Sequence, residues 1–247
     1  MIRGFYSAAS AMVAGLFRQE LISHNISNSE VAGYKGLTTG MEDFNRVLLE
    51  RVAATTTSVG ATSMGVITGG AVTDFSTGAL RQTDQPFDLA LVGDGFFRVR
   101  TGDGQDRYTR DGRFTRDANG NLVTVEGFKL LNNAGQPLTV RQGETVIAAN
   151  GGVTVNGAAS GQIGVATFAN PDQDLERDGA NLFRALRAPA ATRAVNIKQG
   201  FLELANVDAV RSMTDMMAVA RAYEAAQRAV QMQDEMLGKA VNEIGQV

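Results

Sequence analysis

Six aspartates in the middle of the sequence have the residue type and spacing that could do acid–base chemistry. Two carboxyl groups that flank a glycosidic bond can hydrolyse it, one acting as acid and the other as base or nucleophile. These aspartates are Asp88, Asp94, Asp103, Asp106, Asp111 and Asp117. Almost all of them flank a glycine or a basic residue in a predicted turn, where aspartate is favoured because its carboxylate accepts backbone hydrogen bonds. Aromatic residues, which would stack on a sugar, make up only 6% of the chain, and tryptophan is absent. We therefore predict turn residues here, and no catalytic residue and no enzyme.

The glycine-rich turns also invite metal and phosphate sites. The stretch that begins at Asp117 resembles the start of a calcium-binding loop, but such a loop needs glycine and an acidic residue where this sequence has Leu122 and Phe128. Gly93-Asp94-Gly95 and Gly102-Asp103-Gly104 lack the later glycine and the following helix of a dinucleotide loop. We predict that both are hairpin turns, and that the protein has no metal site and no cofactor.

Composition narrows the possible functions further. Cysteine is absent and His24 is the only histidine, which excludes disulfides, thiolate zinc sites and cysteine nucleophiles. The formal net charge is −3, whereas binding to nucleic acid requires a basic excess. No apolar run is long enough to cross a membrane. The uncharged residues 4–17 resemble a short signal peptide, but helical spacing continues past them, so we expect an uncleaved helix.

The elements that carry these residues change in type along the chain. Apolar spacing predicts a first helix of about 25 residues that ends near Asn28. A short helix is predicted from Glu42 to Val52, and the Thr/Ser/Gly-rich stretch 55–72 is expected to run extended along another surface. From about Thr73 to Ala194, short segments with two-residue periodicity and frequent glycine turns predict an antiparallel β domain.

The last part of the chain returns to helical periodicity. A helix from Val207 to Ile244 would be about 55 Å long. Both terminal helices have an apolar face that neither can bury alone, and their alanine-rich flanks allow other helices to approach. We therefore expect the termini to pack in an assembly while the β domain faces outward. The residues predicted to form this assembly interface are Phe5, Met12, Leu16, Ile26, Met213, Met216, Ala220, Tyr223, Val230 and Leu237.

The predicted fold class is α+β. The N- and C-terminal helices pair as a coiled-coil-like helical domain, and the centre is an antiparallel β domain. The predicted division assigns 1–35 and 200–247 to the helical assembly domain, 36–75 to an extended linker stretch and 76–199 to a β-rich outer domain.

Three separate motifs give the chain a family resemblance. The first is His24-Asn25-Ile26-Ser27-Asn28 followed by Gly33-Tyr34-Lys35, and the second is Gln199-Gly200-Phe201-Leu202-Glu203-Leu204-Ala205-Asn206-Val207. The middle contributes Phe87-Asp88-Leu89-Ala90-Leu91 with Gly93 and Gly95-Phe96-Phe97, and Tyr108-Thr109-Arg110-Asp111-Gly112. In their order along the chain, these motifs resemble those of bacterial flagellar rod and hook proteins. His24 and Val31-Ala32 depart from the usual pattern. The residues that match the family motif are Asn25, Asn28, Gly33, Tyr34, Lys35, Gln199, Gly200, Asn206 and Val207.

The resemblance implies a structural subunit of the flagellar basal-body rod, of the distal or adjoining proximal type. Such a subunit polymerises helically into the axial drive shaft that transmits torque, with its terminal helices around the export channel. The implied partners are further copies, other rod proteins, hook protein, the surrounding rings and the flagellar export apparatus, with no nucleic acid and no membrane insertion. The implied location is the periplasm-spanning rod, reached through type III export without a cleaved signal peptide. We also expect the termini of the monomer to be largely disordered before assembly.

Two alternatives remain open at this point. One is a hook-type axial subunit. The other belongs to a different class, a secreted β-sandwich adhesin or glycan-binding module, whose function would survive deletion of residues 1–35 and 207–247.

Overall fold

The chain folds into two compact units, which are described separately. A computed structural model describes residues 2–44, 47–51, 57–62, 65–190 and 196–244. The helical unit contains residues 1–27, 37–72 and 209–247, and the β-rich unit contains residues 28–36 and 73–208. The chain therefore passes from one unit to the other after residues 27, 36, 72 and 208. The predicted α+β fold with terminal helices and a central antiparallel sheet is confirmed. Residues 28–36 and 200–208, which the predicted division gave to the helical domain or the linker, group with the strands.

The helical unit consists of two long helices and two strand pairs in its described part. Its elements are α1 (Ile2–Ser27), β1 (Leu37–Phe44), β2 (Val47–Arg51), β3 (Thr57–Thr62), β4 (Gly65–Thr73) and α3 (Ala209–Ile244). Strand β1 pairs with β4, and β2 pairs antiparallel with β3. The short helix predicted for 42–52 is wrong, because the described residues of this range are strands whose partners lie later in the sequence. Residues 45, 46 and 52 of that prediction lie outside the described residues.

Helices α1 and α3 pack against each other in opposite directions. Gly15 faces the middle of α3, since a methyl group there would lie 3.9 Å from the Tyr223 ring and 4.0 Å from Val219. Near the start of α1, Gly4 faces Gln233, which is further along α3. Small residues on α1 therefore let α3 approach closely. Within the described ranges, neither helix has the long apolar stretch that crossing a bilayer requires.

In the residues that the structure describes, the β-rich unit is built from short antiparallel strands and one short helix, α2 (Pro171–Asp174). The first strands are β5 (Leu80–Gln82), β6 (Leu89–Val92), β7 (Phe96–Arg100), β8 (Asp106–Thr109), β9 (Phe114–Arg116), β10 (Leu122–Thr124), β11 (Lys129–Leu130) and β12 (Thr145–Ile147). The remaining strands are β13 (Gly152–Val155), β14 (Ala158–Gln162), β15 (Val165–Ala166), β16 (Leu175–Arg177), β17 (Phe183–Ala185), β18 (Asn196–Gln199) and β19 (Phe201–Glu203).

Strand β7 is the centre of the largest sheet. The order of that sheet is β16-β17-β8-β7-β11-β10-β9. Strand β8 pairs with one edge of β7, and both β11 and β15 pair with its other edge. Strands β12, β13 and β14 form a separate meander, while β18 pairs with β6 and β19 with β5. Gly102-Asp103-Gly104 is the predicted hairpin turn, between β7 and β8. Gly93-Asp94-Gly95 is not a hairpin turn, because β6 and β7 belong to different sheets.

Two hydrophobic clusters form on the opposite faces of β7. Successive strand side chains point to opposite sides of a sheet, which sends Phe97 and Val99 to the larger cluster and Phe96 to the smaller one. The larger cluster collects aliphatic residues from the meander and from β6, β10, β11 and β18. The smaller one is aromatic, and in it the Phe96 ring centroid lies 5.7–5.9 Å from those of Phe75, Phe168 and Phe183. The unit therefore has a fully formed core of its own.

Candidate functional site: the junction where the sequence motifs meet

Two motifs that lie far apart in the sequence run side by side in the β-rich unit. The backbone N–H of Gly33 donates to the Glu203 carbonyl at 2.7 Å, and the N–H of Asn206 donates to the Tyr34 carbonyl at 3.3 Å. We call this site the junction, and it consists of residues 33–36, 74–78 and 203–206 with the Arg110 side chain. It lies next to three of the four points at which the chain passes between the units, those after residues 36, 72 and 208.

Lys35 and Glu203 form a fully buried ion pair in the junction. The two side chains are each 1% exposed, and Lys35 Nζ lies 2.7 Å from Glu203 Oε1. Lys35 also donates to the Ser76 carbonyl at 2.7 Å, and the Gly78 N–H donates to the same carboxylate oxygen at 2.9 Å. This one pair therefore joins three segments of the chain.

A second buried cation completes the cluster. Arg110 comes from the middle motif, is 2% exposed, and its Nη1 lies 3.2 Å from Glu203 Oε2. Its Nη2 donates to the Gly93 carbonyl at 2.8 Å, and its guanidinium carbon lies 5.1 Å from the centre of the Phe96 ring. Glu203 thus neutralises two cations, and all three quoted motifs contribute to one cluster.

Burial controls the ionisation of these cations. Burial lowers the pKa of Lys35 below its ordinary value, although the Glu203 carboxylate acts in the opposite direction. Burial likewise lowers the pKa of Arg110, against the effect of the same carboxylate. Desolvation is the largest influence on both, and the Glu203 carboxylate offsets part of the cost of burying each cation.

Tyr34 and Gly33 occupy tightly enclosed positions. Tyr34 is buried, and the Arg177 guanidinium lies over its ring at 4.9 Å and near Phe183 at 5.6 Å. Gly33 has φ +65°, and a Cβ there would overlap the Arg110 carbonyl and lie 2.5 Å from the Asp111 nitrogen. Glycine is therefore needed at position 33 for both its backbone conformation and the lack of space.

The side chain of Asn206 links separate segments. Its Oδ1 accepts from the Gly36 N–H at 2.7 Å, and its Nδ2 donates to the Asp74 carbonyl at 2.8 Å. The same Nδ2 lies 3.0 Å from Ser76 Oγ and 3.3 Å from the Ser76 carbonyl. Val207, the next motif residue, is half-buried.

The start of the second motif is held in a similar way. Gln199 Nε2 donates to the Pro86 and Thr145 carbonyls at 2.8 and 2.9 Å, and its Oε1 accepts from the Ile147 N–H at 3.0 Å. The Gly200 N–H donates to the Asp88 carbonyl at 2.8 Å. These bonds hold β18 beside β12 and β6.

The first two motif asparagines act at the end of α1. In the helical unit, Asn25 donates from Nδ2 to the Leu37 carbonyl at 2.7 Å and accepts from the Leu37 N–H at 2.8 Å. Its amide thus binds Leu37 as a neighbouring strand would. The carbonyl of Asn28, in the turn after α1, accepts from the Val31 N–H at 3.1 Å.

The predicted assembly residues lie on different sides of the two helices. Phe5 and Leu16 on α1 and Met213 and Leu237 on α3 are exposed, with exposed fractions of 40–52%. The other members are half-buried, namely Met12, Ile26, Met216, Ala220, Tyr223 and Val230. Val219 of α3, which lies between predicted positions, is buried against α1.

Each long helix carries apolar residues on the side away from its partner. At 3.6 residues per turn, Tyr6 and Val13 of α1 lie opposite Gly4 and Gly15, and Phe5 and Leu16 lie next to them, about a quarter turn around the helix from the glycines. On α3, the side opposite Val219 and Tyr223 carries Val210, Met213 and Met217 near its start and Met232 and Met236 near its end. All nine of these side chains are exposed. Each helix therefore has one apolar side in contact with the other helix and a second in solvent.

Several residues of these sites had no predicted role. Glu203 and Arg110 stand inside the motifs, and Glu203, which lies between Leu202 and Leu204, carries the sequence signal of a buried charge. Arg177 lies outside every motif. For Met217, Met232 and Met236, helical spacing favours packing residues over a recognition surface, whereas their side chains are 54–57% exposed.

Nothing in the described ranges brings together three or more acidic, histidine or cysteine side chains in an arrangement that could hold a metal ion. The predicted turn role of the aspartates is observed at Asp117, which accepts from the Asn119 and Asn121 N–H groups at 2.9 and 2.7 Å. Asp106 instead binds Arg98 and Arg100 across neighbouring strands.

Comparisons with known proteins agree with the motifs. Residues 198–243 match the family model described as flagellar basal body rod FlgEFG protein C-terminal, and residues 90–156 match that of the flagellar hook protein FlgE/F/G D1 domain. The flagellar hook-basal body complex protein FlhO of Bacillus subtilis is 34% identical, over 100% of both chains. The flagellar basal-body rod protein FlgG of the same organism is 32% identical over 98% of this chain and 99% of its own. The flagellar basal-body rod protein FlgF of Caulobacter vibrioides is 32% identical over 96% of this chain and 99% of its own. These full-length similarities show that the chain belongs to the flagellar basal-body rod protein family.

Proposed function

We propose that this protein is a structural subunit of the bacterial flagellar basal-body rod, and not an enzyme. Copies polymerise helically through α1 and α3, pair these helices in a coiled-coil-like manner, and surround the export channel. The β-rich units form the outer layer of the shaft that transmits torque. Its partners are further copies, other rod proteins, hook protein and the surrounding rings. It reaches the rod through the flagellar export apparatus.

The observation that carries this proposal is that each long helix has, besides the side packed on the other helix, a second apolar side exposed to solvent. A monomer gains nothing from large apolar residues in solvent, and exposed apolar residues grouped on one surface are typical of contacts between proteins. Phe5, Tyr6, Val13 and Leu16 are 43–65% exposed on α1. A helix with apolar residues on two opposite sides fits a position surrounded by other helices.

The geometry of the contact also favours a filament. The exposed side of α3 carries Arg221, Glu224 and Arg228 between its two apolar groups, so this surface differs from that of α1. A contact between two different surfaces can repeat from copy to copy, and it generates an open helical polymer when the rotation does not close into a ring. The names of the relatives, which are basal-body rod proteins, support the same assembly.

Two equally exposed valines provide a matched test. Val13 on α1 is 65% exposed, and Val125 in the β-rich unit is 63% exposed. We expect Val13→Asp to leave the purified monomer folded but to abolish rod assembly and swimming when it replaces the wild-type protein in cells. Val125→Asp adds the same charge and should leave swimming unchanged. Normal swimming with Val13→Asp would contradict the proposed interface.

Direct polymerisation provides the second test. We expect purified wild-type protein to form filaments under polymerising conditions, visible by electron microscopy, and Val13→Asp to remain monomeric. A wild-type sample that stays monomeric at every concentration, together with a gene deletion that leaves cells motile, would exclude the rod function.

A further inference from the structure

Residues 37–73 leave the β-rich unit and return to it at hydrogen-bonded positions. The Asp74 N–H donates to the Gly36 carbonyl at 2.8 Å. Gly36 is buried and immediately precedes β1, and Asp74 immediately follows β4. The two ends of the segment are therefore held together within the β-rich unit.

Asn206 binds both of these ends with one side chain. The carbonyl oxygen of its amide faces the Gly36 N–H, and the amide nitrogen faces the Asp74 and Ser76 carbonyls. The opposite orientation of the amide would place its nitrogen against the Gly36 N–H and its oxygen against two carbonyls. The hydrogen-bond partners therefore determine which atom is Oδ1 and which is Nδ2. Serine or aspartate could satisfy one half of this arrangement, and only a carboxamide of this length satisfies both.

Asn206 also stands two residues before the last passage of the chain between the units, which follows residue 208. Its backbone N–H holds the Tyr34 carbonyl. One residue thus connects the segments next to three of the four passages, those after residues 36, 72 and 208. None of these bonds contributes to either hydrophobic cluster.

We propose that Asn206 is a positioning residue for rod assembly: it holds together, inside the β-rich unit, the three segments through which the chain continues into β1, β4 and α3. This inference rests on the proposed function, in which β1, β4 and α3 belong to the part of the chain that assembles. Asn206 holds the three segments that connect to these elements at one defined place. We expect the β-rich unit to fold without it, because Asn206 belongs to neither hydrophobic cluster. A force applied to any of the three segments is shared among them at this residue.

The test is residue-resolved amide hydrogen exchange on the purified full-length monomer. In Asn206→Ala, we expect the Gly36 and Asp74 amides to exchange at least about tenfold faster than in the wild type, because both lose their support. The amides of β7 and β8 should keep their wild-type rates. Asn133→Ala is the control, since Asn133 is an exposed asparagine in the same unit.

Asn206→Asp separates the two halves of the arrangement. Its carboxylate still accepts from the Gly36 N–H but repels the Asp74 and Ser76 carbonyls. We therefore expect the Asp74 amide to exchange faster while the Gly36 amide stays protected. A residue that only adds general stability would not produce this split.

Swimming of cells that carry only the variant completes the test. We expect Asn206→Ala to reduce rod assembly and Asn133→Ala to leave it unchanged. Wild-type exchange at both amides, equal acceleration in β7 and β8, or normal swimming with Asn206→Ala would each overturn the proposal. If deletion of the whole gene left cells motile, the proposed function would fail, while the exchange result would stand by itself.

Discussion

The two units of this protein bury their apolar residues to very different extents. In the β-rich unit, Leu89, Phe97 and Phe183 are each fully buried, as are most of the large aliphatic residues of its clusters. In the two long helices of the helical unit, the large side chains that are buried, among those whose exposure the structure describes, are Leu21, Ile22 and Val219. The β-rich unit therefore has a core of its own, whereas the long helices leave large apolar side chains exposed.

The largest effect is expected from the charge at the centre of the junction. Glu203→Gln leaves Lys35 and Arg110 buried without an anion, which should cost the β-rich unit about 3–5 kcal/mol of unfolding free energy. Denaturant unfolding of the full chain measures it. Glu126→Gln makes the same change at an exposed position and should have almost no effect. Equal unfolding midpoints for the two variants would show that the buried pair does not hold the unit together.

Hydrogen exchange compares the two units directly in the monomer. Because α1 and α3 bury few large apolar side chains, we expect their amides to exchange about a hundredfold faster than those of β7 and β8, a difference of about 3 kcal/mol. Assembly should remove the difference, since further copies would cover the exposed apolar sides. Strong protection of both helices in the monomer would contradict the view that they need an assembly.

Variants at Gly127 and Gly33 allow the cost of backbone strain to be measured separately from the cost of steric overlap. Gly127 has φ +87° and open space around it, so Gly127→Ala should cost only the strain of the left-handed conformation, about 1 kcal/mol. Gly33→Ala adds overlap with the Arg110 backbone and should cost about 1–3 kcal/mol more. Thermal unfolding of both variants gives the difference. A Gly33→Ala protein as stable as Gly127→Ala would mean that residues 110–111 can move away.

The smallest effect is expected from Asp106 at low pH. Burial acts to raise the pKa of Asp106, but hydrogen bonds from Arg100 and Arg98 outweigh it, so this pKa lies below its ordinary value. The unfolded chain therefore binds the proton first, and the stability from Asp106 is complete above about pH 4 and is lost as the pH falls through the lower, folded pKa. Asp106→Asn should cost less than about 1 kcal/mol at pH 7, because the pair is partly exposed.

Denaturant unfolding of Asp106→Asn at pH 7 and at pH 2.5 checks this prediction. The stability difference between variant and wild type should shrink at the lower pH. A difference that grows on acidification would reverse the assigned direction.

The ends of the two long helices could be predicted from the sequence, because they depend on interactions between neighbouring residues. The first helix was expected to end near Asn28 and ends at Ser27, and the last was expected from Val207 and begins at Ala209. Both predictions used apolar periodicity and the polar residues at the helix ends, which can be recognised within one segment of the sequence. The segment 42–52 has charged residues at helical spacing, yet Val47–Arg51 forms a strand because it pairs with Thr57–Thr62.

The junction could be predicted only in part. Gly33, Lys35 and Asn206 were recognisable as motif residues, but Lys35 and Glu203 are 168 positions apart, and no spacing rule connects them. The hairpin expected at Gly93–Gly95 failed for a related reason. Strand β6 has a better partner in Asn196–Gln199, more than 100 residues later. Pairing over such distances is decided by the whole fold.

The hydrogen bond between Gly36 and Asp74 has a consequence for how this chain tolerates changes in length. A segment whose two ends already touch can gain or lose residues at little cost in loop-closure entropy. The stretch between these residues is thus a natural place for sequence insertions among relatives. It also offers a graft point for an epitope or a fluorescent label in the full-length protein.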